Sequence, residues 1–141
     1  MIGQLWRGIQ LRFDTSTACT QYVRKLYRGY DGEREKSVTP YAVVDFIDGA
    51  TSDTMGADAE TCTVRFTIHT KREIAELPEQ AFEAMLSCFD DCELHLPEWG
   101  TATFQRIGWS GPRVEDAQNV VEMSYEVELV RQYMLPPERG V

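Results

Sequence analysis

Two cysteines and a histidine behind the predicted second helix are the residues best suited to chemistry in this chain. Cys88 and Cys92 are four residues apart, so one face of a helix could present both thiols, and His95 follows them. Zinc prefers tetrahedral sulfur and nitrogen ligands, and a fourth ligand would come from His69 or Cys62. The usual second close pair of ligands is absent from the sequence. The alternative is a pair of free thiols, with Cys88 packing beside an apolar stripe and Cys92 ending the helix.

The carboxylates and possible nucleophiles of the chain form no enzyme motif. Asp90, Asp91 and Glu93 lie together, and paired carboxylates can act as acid and base when one of them is buried. Their position, where a helix meets a turn, instead predicts a solvated patch. Nothing in the sequence places a histidine beside Cys19, and the chain has neither a G-x-S-x-G nor a glycine-rich phosphate loop. We therefore predict no catalytic residues, no cofactor and no enzymatic activity.

Apolar periodicity predicts the elements that position these residues. Residues 2–13 carry apolar side chains at helical spacing, and a short second segment turns from helix to strand near Leu26. Residues 40–47 form an apolar, central strand, and residues 62–69 alternate strictly between an apolar and a polar face. A helix then begins near Leu77, with Pro78 in its first turn, where a missing N–H is tolerated.

Two further strands, at residues 101–109 and 121–129, complete the predicted fold. It is an α+β single domain: a mostly antiparallel sheet of four to five strands, with an amphipathic helix packed on one face and an N-terminal helix. Residues 48–60 are predicted to be an exposed loop because they are rich in Gly, Asp, Ser and Thr. Gly111 and Pro112 are expected to break the strand that precedes them, and an exposed turn is expected at Glu115 and Asp116. The domain is expected to span residues 1–134, with a flexible tail at 135–141.

Composition limits the classes of function. The chain has 141 residues, 43% of them hydrophobic, which is enough for one domain with a real core. Acidic residues outnumber basic ones 23 to 14, giving a net charge of −9, and the basic residues are scattered. A specific nucleic-acid binder would carry a basic patch. The acidic charge serves either solubility or a surface that must not hold DNA.

The chain shows no signal peptide and no stretch of the ~18 apolar residues that a membrane span needs. We therefore expect a protein made in a cytosol, with no membrane partner. The four cysteines are expected to be free and mostly buried, because disulfide frameworks belong mainly to short secreted chains.

Some side chains are candidates for contacts with other proteins. Aromatic residues are enriched at protein interfaces, and Trp99 lies in a predicted turn where exposure is plausible. The last strand places Glu122, Glu126 and Glu128 on its outer face. These three carboxylates are either a solvated sheet face or, if several copies form a ring, the lining of a negatively charged lumen.

The order of these elements resembles that of phage tail terminator proteins, also called tail completion or minor tail proteins. The resemblance extends to about Gln132 and consists of order and spacing rather than catalytic residues. The segments that carry it are the opening helix, residues 26–29, residues 40–43, the loop with Asp53 and Thr54, the strand 63–69, the helix ending in residues 84–91, and the strand 122–129. The loop 48–60 and the turn 109–116 are longer than the family pattern.

The resemblance implies a structural, non-enzymatic virion protein without a cofactor. Such proteins form a hexameric ring on the last ring of the tail tube, stop its polymerisation, and present a surface to the head–tail connector, with DNA passing through the ring. The implied partners are other copies of the chain, the tube protein and the connector, at the head-proximal end of the tail. The candidate interface residues are Asp53, Met55, Trp99, Trp109 and Arg113.

Two other functions remain open from the sequence. One is a different virion part with a similar small sheet, such as a head-completion connector or a tube subunit. The other is a small metal-binding module that uses Cys88, Cys92 and His95.

Overall fold

The computed structural model describes residues 1–29, 39–54 and 57–132. Within these residues the chain forms three helices and six strands. In chain order they are α1 (Ile2–Thr15), α2 (Thr17–Tyr22), β1 (Lys25–Arg28), β2 (Tyr41–Thr54), β3 (Ala57–Lys71), α3 (Leu77–Phe89), β4 (Glu93–Leu96), β5 (Gly100–Glu115) and β6 (Gln118–Arg131).

The six strands form one sheet in the order β1-β2-β3-β6-β5-β4. Only β1 and β2 are parallel, and the other neighbouring pairs are antiparallel. The predicted α+β class with a mostly antiparallel sheet is confirmed, but the sheet has more strands than the four to five predicted. The strand predicted near Leu26 is β1, and the additional strand is β4, which lies at an edge and has four residues. So short a strand leaves too few residues for a period-two pattern to be recognised.

The helices cover one face of the sheet. The predicted N-terminal stripe is confirmed, because α1 buries Leu5, Ile9 and Phe13. Ser16 follows α1 directly and caps α2, since its side chain accepts a hydrogen bond from the Cys19 backbone N–H. Helix α3 begins at Leu77 as predicted and packs on β3, β5 and β6.

Four aromatic rings from four elements fill the middle of the core. Phe66 of β3 lies 4.7 Å from Phe89 of α3, centroid to centroid, and Phe89 lies 5.8 Å from Phe104 of β5. Tyr125 of β6 contacts Phe66 and Phe104 edge-on, at 5.8 and 5.7 Å. Each such pair adds about 0.5–1.5 kcal/mol beyond the area it buries. The alternating patterns predicted for β3 and β6 therefore do point their apolar sides at α3.

The predicted loop at residues 48–60 is wrong. Strand β2 continues to Thr54 and β3 begins at Ala57, and the two remain paired from Gly49↔Cys62 to Thr54↔Ala57. A bulge between Phe46 and Gly49 bends the hairpin. Strand β3 also pairs with β6 as far as Ala59↔Val130. Polar composition predicted a loop, but backbone pairing on both sides of β3 keeps the segment extended.

The predicted break at Gly111 and Pro112 is also wrong, because β5 continues to Glu115. A bulge between Ser110 and Arg113 accommodates Gly111 and Pro112. Proline is tolerated at a bulge because no backbone N–H is needed there for pairing with the neighbouring strand. Gly111 has φ +101°, and a Cβ at this position would lie 2.6 Å from the Val120 carbonyl oxygen. The turn instead follows at Asp116 and Ala117, one residue beyond the predicted position.

Residues 30–38, 55–56 and 133–141 lie outside the described residues, as does the predicted flexible tail at 135–141. No helix in the described part of the chain is long and apolar enough to cross a membrane.

Candidate assembly surfaces

The acidic stripe of β6 lies on the sheet face opposite the helices. Glu122, Glu126 and Glu128 alternate with buried apolar residues, so all three side chains leave the sheet on this outer face, as the sequence predicts. Their neighbours on β3 are threonines, with Glu126 paired to Thr63 and Glu128 to Thr61. The outer face therefore presents polar and charged groups, with the three glutamates of β6 beside Arg65 of β3 and Arg113 of β5.

Arg113 and its carboxylate partners join the end of β5 to β6 on this face. Its Nη2 donates to Glu122 Oε1 at 2.8 Å, and its Nε donates to Glu115 Oε2 at 3.0 Å. Hydrogen bonds from the guanidinium to Glu122 and Glu115 raise the pKa of Arg113. Because Arg113 and Glu115 are exposed, each pair contributes no more than about 1 kcal/mol. The network orients the β5–β6 hairpin rather than stabilising the fold strongly.

A polar hollow of about 320 Å³ lies beside this network, over the ends of β2, β3 and β6. The ring of Tyr41 stacks on His69 with centroids 4.6 Å apart, and His69 Nδ1 is 3.0 Å from Gln118 Oε1. Val43 and Val120 are buried beneath the hollow, although they belong to the outer face. This end of the outer face is therefore concave.

An apolar groove of about 440 Å³ lies on the other face, between α3 and the β5–β6 hairpin. Its walls include Phe82 and Leu86 of α3 and Trp109 and Pro112 of β5. The rings of Phe82 and Trp109 are 5.7 Å apart, and Trp109 is 61% exposed. The sequence predicts Trp109 as a contact residue, whereas Phe82 and Leu86 belong by their spacing to the apolar stripe of α3. Both are half-buried at the edge of that stripe, beyond the residues that meet the sheet.

The remaining predicted contact residue with a described side chain is less exposed than Trp109, and the others have no described side chain. Trp99 is half-buried and packs against the core, and its backbone is held by hydrogen bonds to Leu96 and Gln132. Asp53 belongs to β2, and only its backbone is described. Met55 lies outside the described residues.

The cysteines are free and buried, as predicted. Cys88 Sγ donates to the Arg12 carbonyl oxygen at 3.8 Å, and burial raises the pKa of Cys92 to about 11. Without a metal, Cys92 is therefore a thiol at neutral pH. His95 is exposed on β4. Among the described residues, no three His, Cys, Asp or Glu side chains lie close enough together to hold a metal ion.

Asp90 has a role that the sequence did not indicate. Its Oδ1 accepts a hydrogen bond of 2.7 Å from the hydroxyl of the buried Tyr125, and Arg106 Nε lies 3.6 Å away. Burial and the neighbouring Asp90 raise the pKa of Tyr125. Asp90 is thus half-buried and structural rather than part of a solvated patch, while Asp91 and Glu93 are exposed as predicted. A carboxylate one residue beyond a helix gives no local signal of a partner on a distant strand.

No protein-family model matches this chain, and no curated protein matches it in sequence. Among solved structures, a protein of the virion of a native gene transfer agent particle is 12% identical and has a TM-score of 0.65 over 94% of this chain and 97% of its own. A second solved protein is 13% identical, with a TM-score of 0.58 over 94% and 97% of the two chains. The bacteriophage SPP1 gp17 protein is 10% identical and covers 96% of each chain with a TM-score of 0.45. The first two establish a fold that this chain shares over nearly its whole length, and one of them is a virion component.

Proposed function

We propose that this chain is a structural virion protein that caps a phage tail tube as a ring. The ring ends polymerisation of the tube and provides the surface that joins the tail to the head connector, and DNA passes through it. The main support is the fold shared, over nearly the whole chain, with a component of a gene transfer agent virion. The protein acts by contact alone, with no catalytic residue and no cofactor.

The acidic outer face is consistent with this role. With the sheet turned inward, Glu122, Glu126 and Glu128 line the ring lumen. Like charge keeps the DNA backbone from adhering to the wall, so that DNA moves through without specific binding. The helices then lie on the outside of the ring.

The test is a tube-assembly assay with the cognate tube protein. Tube protein is polymerised with and without increasing amounts of this chain, and tube lengths and ends are measured by negative-stain electron microscopy. A terminator shortens the tubes and adds one ring of density at a single end. Class averages of that end give the number of copies, which we expect to be six.

The same assay separates the alternative virion roles. A tube subunit forms long stacks on its own, and a head-completion connector leaves tube length unchanged. Either result would reject the terminator role. Native mass spectrometry of the purified chain tests the metal-module alternative, since one zinc ion per chain would support that function instead.

A further inference from the structure

Among the described residues, each edge of the sheet has a covered half and an open half. On one edge β1 covers β2 only from Tyr41 to Val44, and the pairing ends with the hydrogen bond from the Gly29 N–H to the Val44 carbonyl. On the other edge β4 covers β5 only at residues 100–103, and the last hydrogen bond runs from the Phe104 N–H to the Cys92 carbonyl. In the part of the chain that the structure describes, no strand lies against β2 beyond residue 45 or against β5 beyond residue 104.

Residues that are paired from strand to strand form rows across the sheet. The rows that end at the covered half of one edge begin at the open half of the other edge. Val44, which pairs with β1, is paired to Phe66 on β3. Phe66 is paired to Met123 on β6, and Met123 is paired to Trp109 on β5. The rows that β1 covers on one edge are therefore open on the other.

The rows covered by β4 show the reverse arrangement. Thr103 on β5 is paired to Glu128 on β6. Glu128 is paired to Thr61 on β3, and Thr61 is paired to Ala50 on β2. The outline of the sheet thus has a step on each edge, and the two steps are complementary.

The strand directions agree with the same fit. Strands β1, β2, β6 and β4 run one way, and β3 and β5 run the other way. Copies related by rotation about an axis along the strands keep these directions. Strand β1 of one copy then lies antiparallel to the open half of β5 in the next copy, and antiparallel pairs are the commoner kind. In the same contact β4 lies parallel to the open half of the neighbour's β2.

We propose that copies of this chain join edge to edge, with β1 of each copy extending the sheet along the open half of β5 in the next. This inference rests on the proposed ring and specifies the contact that closes it. The contact is head-to-tail, because two different edges meet, and such contacts form a ring when the rotation closes. The backbone groups of the open strands supply the hydrogen bonds, as in other cases of strand addition.

The side chains of the open half of β5 favour a partner over water. Proteins usually protect an exposed edge with charged residues, especially lysine. The open half of β5 carries the charged Arg106, Arg113 and Glu115 and the bulge with Pro112, but it also exposes Ile107, Trp109 and Val114, at 56%, 61% and 56%, and the open half of β2 carries Ile47. Four of the six large exposed apolar side chains in the described part of the chain thus lie on the two open half-edges.

Charge identifies β1 of a second copy as the occupant. Arg24 and Lys25 are exposed at the start of β1, and Glu115 and Asp116 are exposed at the end of β5. Lys25 pairs with Tyr41, whose row continues through β3 and β6 to Arg113, two residues before Glu115. Lys25 thus lies level with Arg113, but Arg113 is bonded to Glu115 and Glu122. Asp116 follows, so the basic end of β1 meets a hairpin tip with a net negative charge.

The first experiment places a lysine on the open edge. Trp109→Lys, in the row that Arg28 of β1 extends, is compared with Ile74→Lys, an exposed apolar position outside the sheet, by sedimentation of the full chain over a concentration series. We expect Trp109→Lys to weaken association at least about tenfold and Ile74→Lys to leave it unchanged. Urea unfolding of each monomer checks that both variants are folded. Equal effects of the two substitutions would overturn the inference.

The second experiment exchanges charges across the contact. Lys25→Glu and Glu115→Lys should each weaken the ring, and the double variant should recover part of the loss, because the pair is restored in reverse. Arg72→Glu, an exposed position in the turn after β3, is the matched control. Absence of any recovery in the double variant argues against β1 as the occupant.

Hydrogen exchange of the unaltered protein gives a result that does not depend on variants. Amides in residues 105–115 should exchange more slowly in the assembled ring than in the dilute monomer. A ring in which these amides exchange unchanged would overturn the edge contact, yet leave the proposed function intact. A chain that stays monomeric at every concentration also contradicts the edge contact, and the tube-length assay then decides the proposed function separately.

Discussion

The two faces of the sheet differ in what covers them. The inner face carries Phe66, Phe104 and Tyr125 and is covered by α3, so these side chains are fully buried. The outer face carries Glu126 and Glu128 and is open to solvent, except at the hollow near β2. Stability is therefore concentrated on one face, and the other is available for contact. Substitutions on the inner face should lower stability, and substitutions on the outer face should change contacts instead.

The largest expected effect comes from the centre of the inner face. Phe89→Ala removes a fully buried ring that contacts Phe66 and Phe104, and it should lower the free energy of unfolding by about 3–5 kcal/mol. Urea unfolding followed by circular dichroism measures the loss. Glu126→Ala on the outer face is the control and should change stability by no more than about 0.5 kcal/mol. Similar losses in the two variants would contradict the comparison.

Buried thiols on the inner face make stability fall at high pH. Burial raises the pKa of Cys62 and of Cys92 from 9.0 to about 11. Between these values the unfolded chain loses its thiol protons before the folded chain does, so the free energy of unfolding decreases as pH rises from 9 to 11. Each thiol contributes about 2 kcal/mol to this decrease.

The variant Cys92→Ala should therefore show a shallower decrease in stability over that range than the unaltered chain. His95→Ala, on the exposed side of β4, should keep the full slope. The measurement is urea unfolding at several pH values between 8 and 11. An unchanged slope in Cys92→Ala would show that this thiol does not titrate differently on unfolding.

A smaller effect is expected at the rim of the inner face. Tyr125→Phe removes the hydroxyl that donates to Asp90 at 2.7 Å and should cost about 1–2 kcal/mol. The carboxylate is partly exposed, which keeps the cost at the lower end for a charged acceptor. A double-mutant cycle with Asp90→Asn isolates the coupling between the two groups. Full additivity of the two changes would mean that the hydrogen bond contributes nothing.

The smallest effect on stability is expected on the outer face, where function is expected to respond instead. The variant with Glu126→Gln and Glu128→Gln should keep its free energy of unfolding within about 0.5 kcal/mol, because both side chains are exposed. Its retention on immobilised double-stranded DNA at low salt should increase, since two negative charges are lost. Retention equal to that of the unaltered chain would argue against contact between this face and DNA.

The sequence predicted some parts of the fold well, for a physical reason. The stripe of α1, the start of α3 at Leu77 and the alternation in β3 and β6 are periodic patterns that one element carries by itself. The errors at residues 48–60 and at Gly111 occurred where composition favours a loop and pairing with a neighbouring strand overrides it. Local composition cannot report a partner that is distant in the chain.

The contact surfaces also divide into features that one strand carries by itself and features that need two elements. The acidic stripe of β6 was predicted, because alternation along one strand is enough to place Glu122, Glu126 and Glu128 on a common face. The groove beside Trp109 and the hydrogen bond between Asp90 and Tyr125 were not predicted. Each needs two elements to meet at a distance and angle that only the packed chain defines.

By itself, the sequence determined an α+β chain with a hydrophobic core, an acidic sheet face and free thiols, because these depend on residue type and local period. The tertiary structure decided the order of the strands, the bulges that carry β2 and β5 past their glycines, and the position of β1 and β4 on opposite halves of the two edges. Strand order and register arise from pairing between segments far apart in the chain. The complementary outline of the sheet edges is therefore a property of the folded molecule alone.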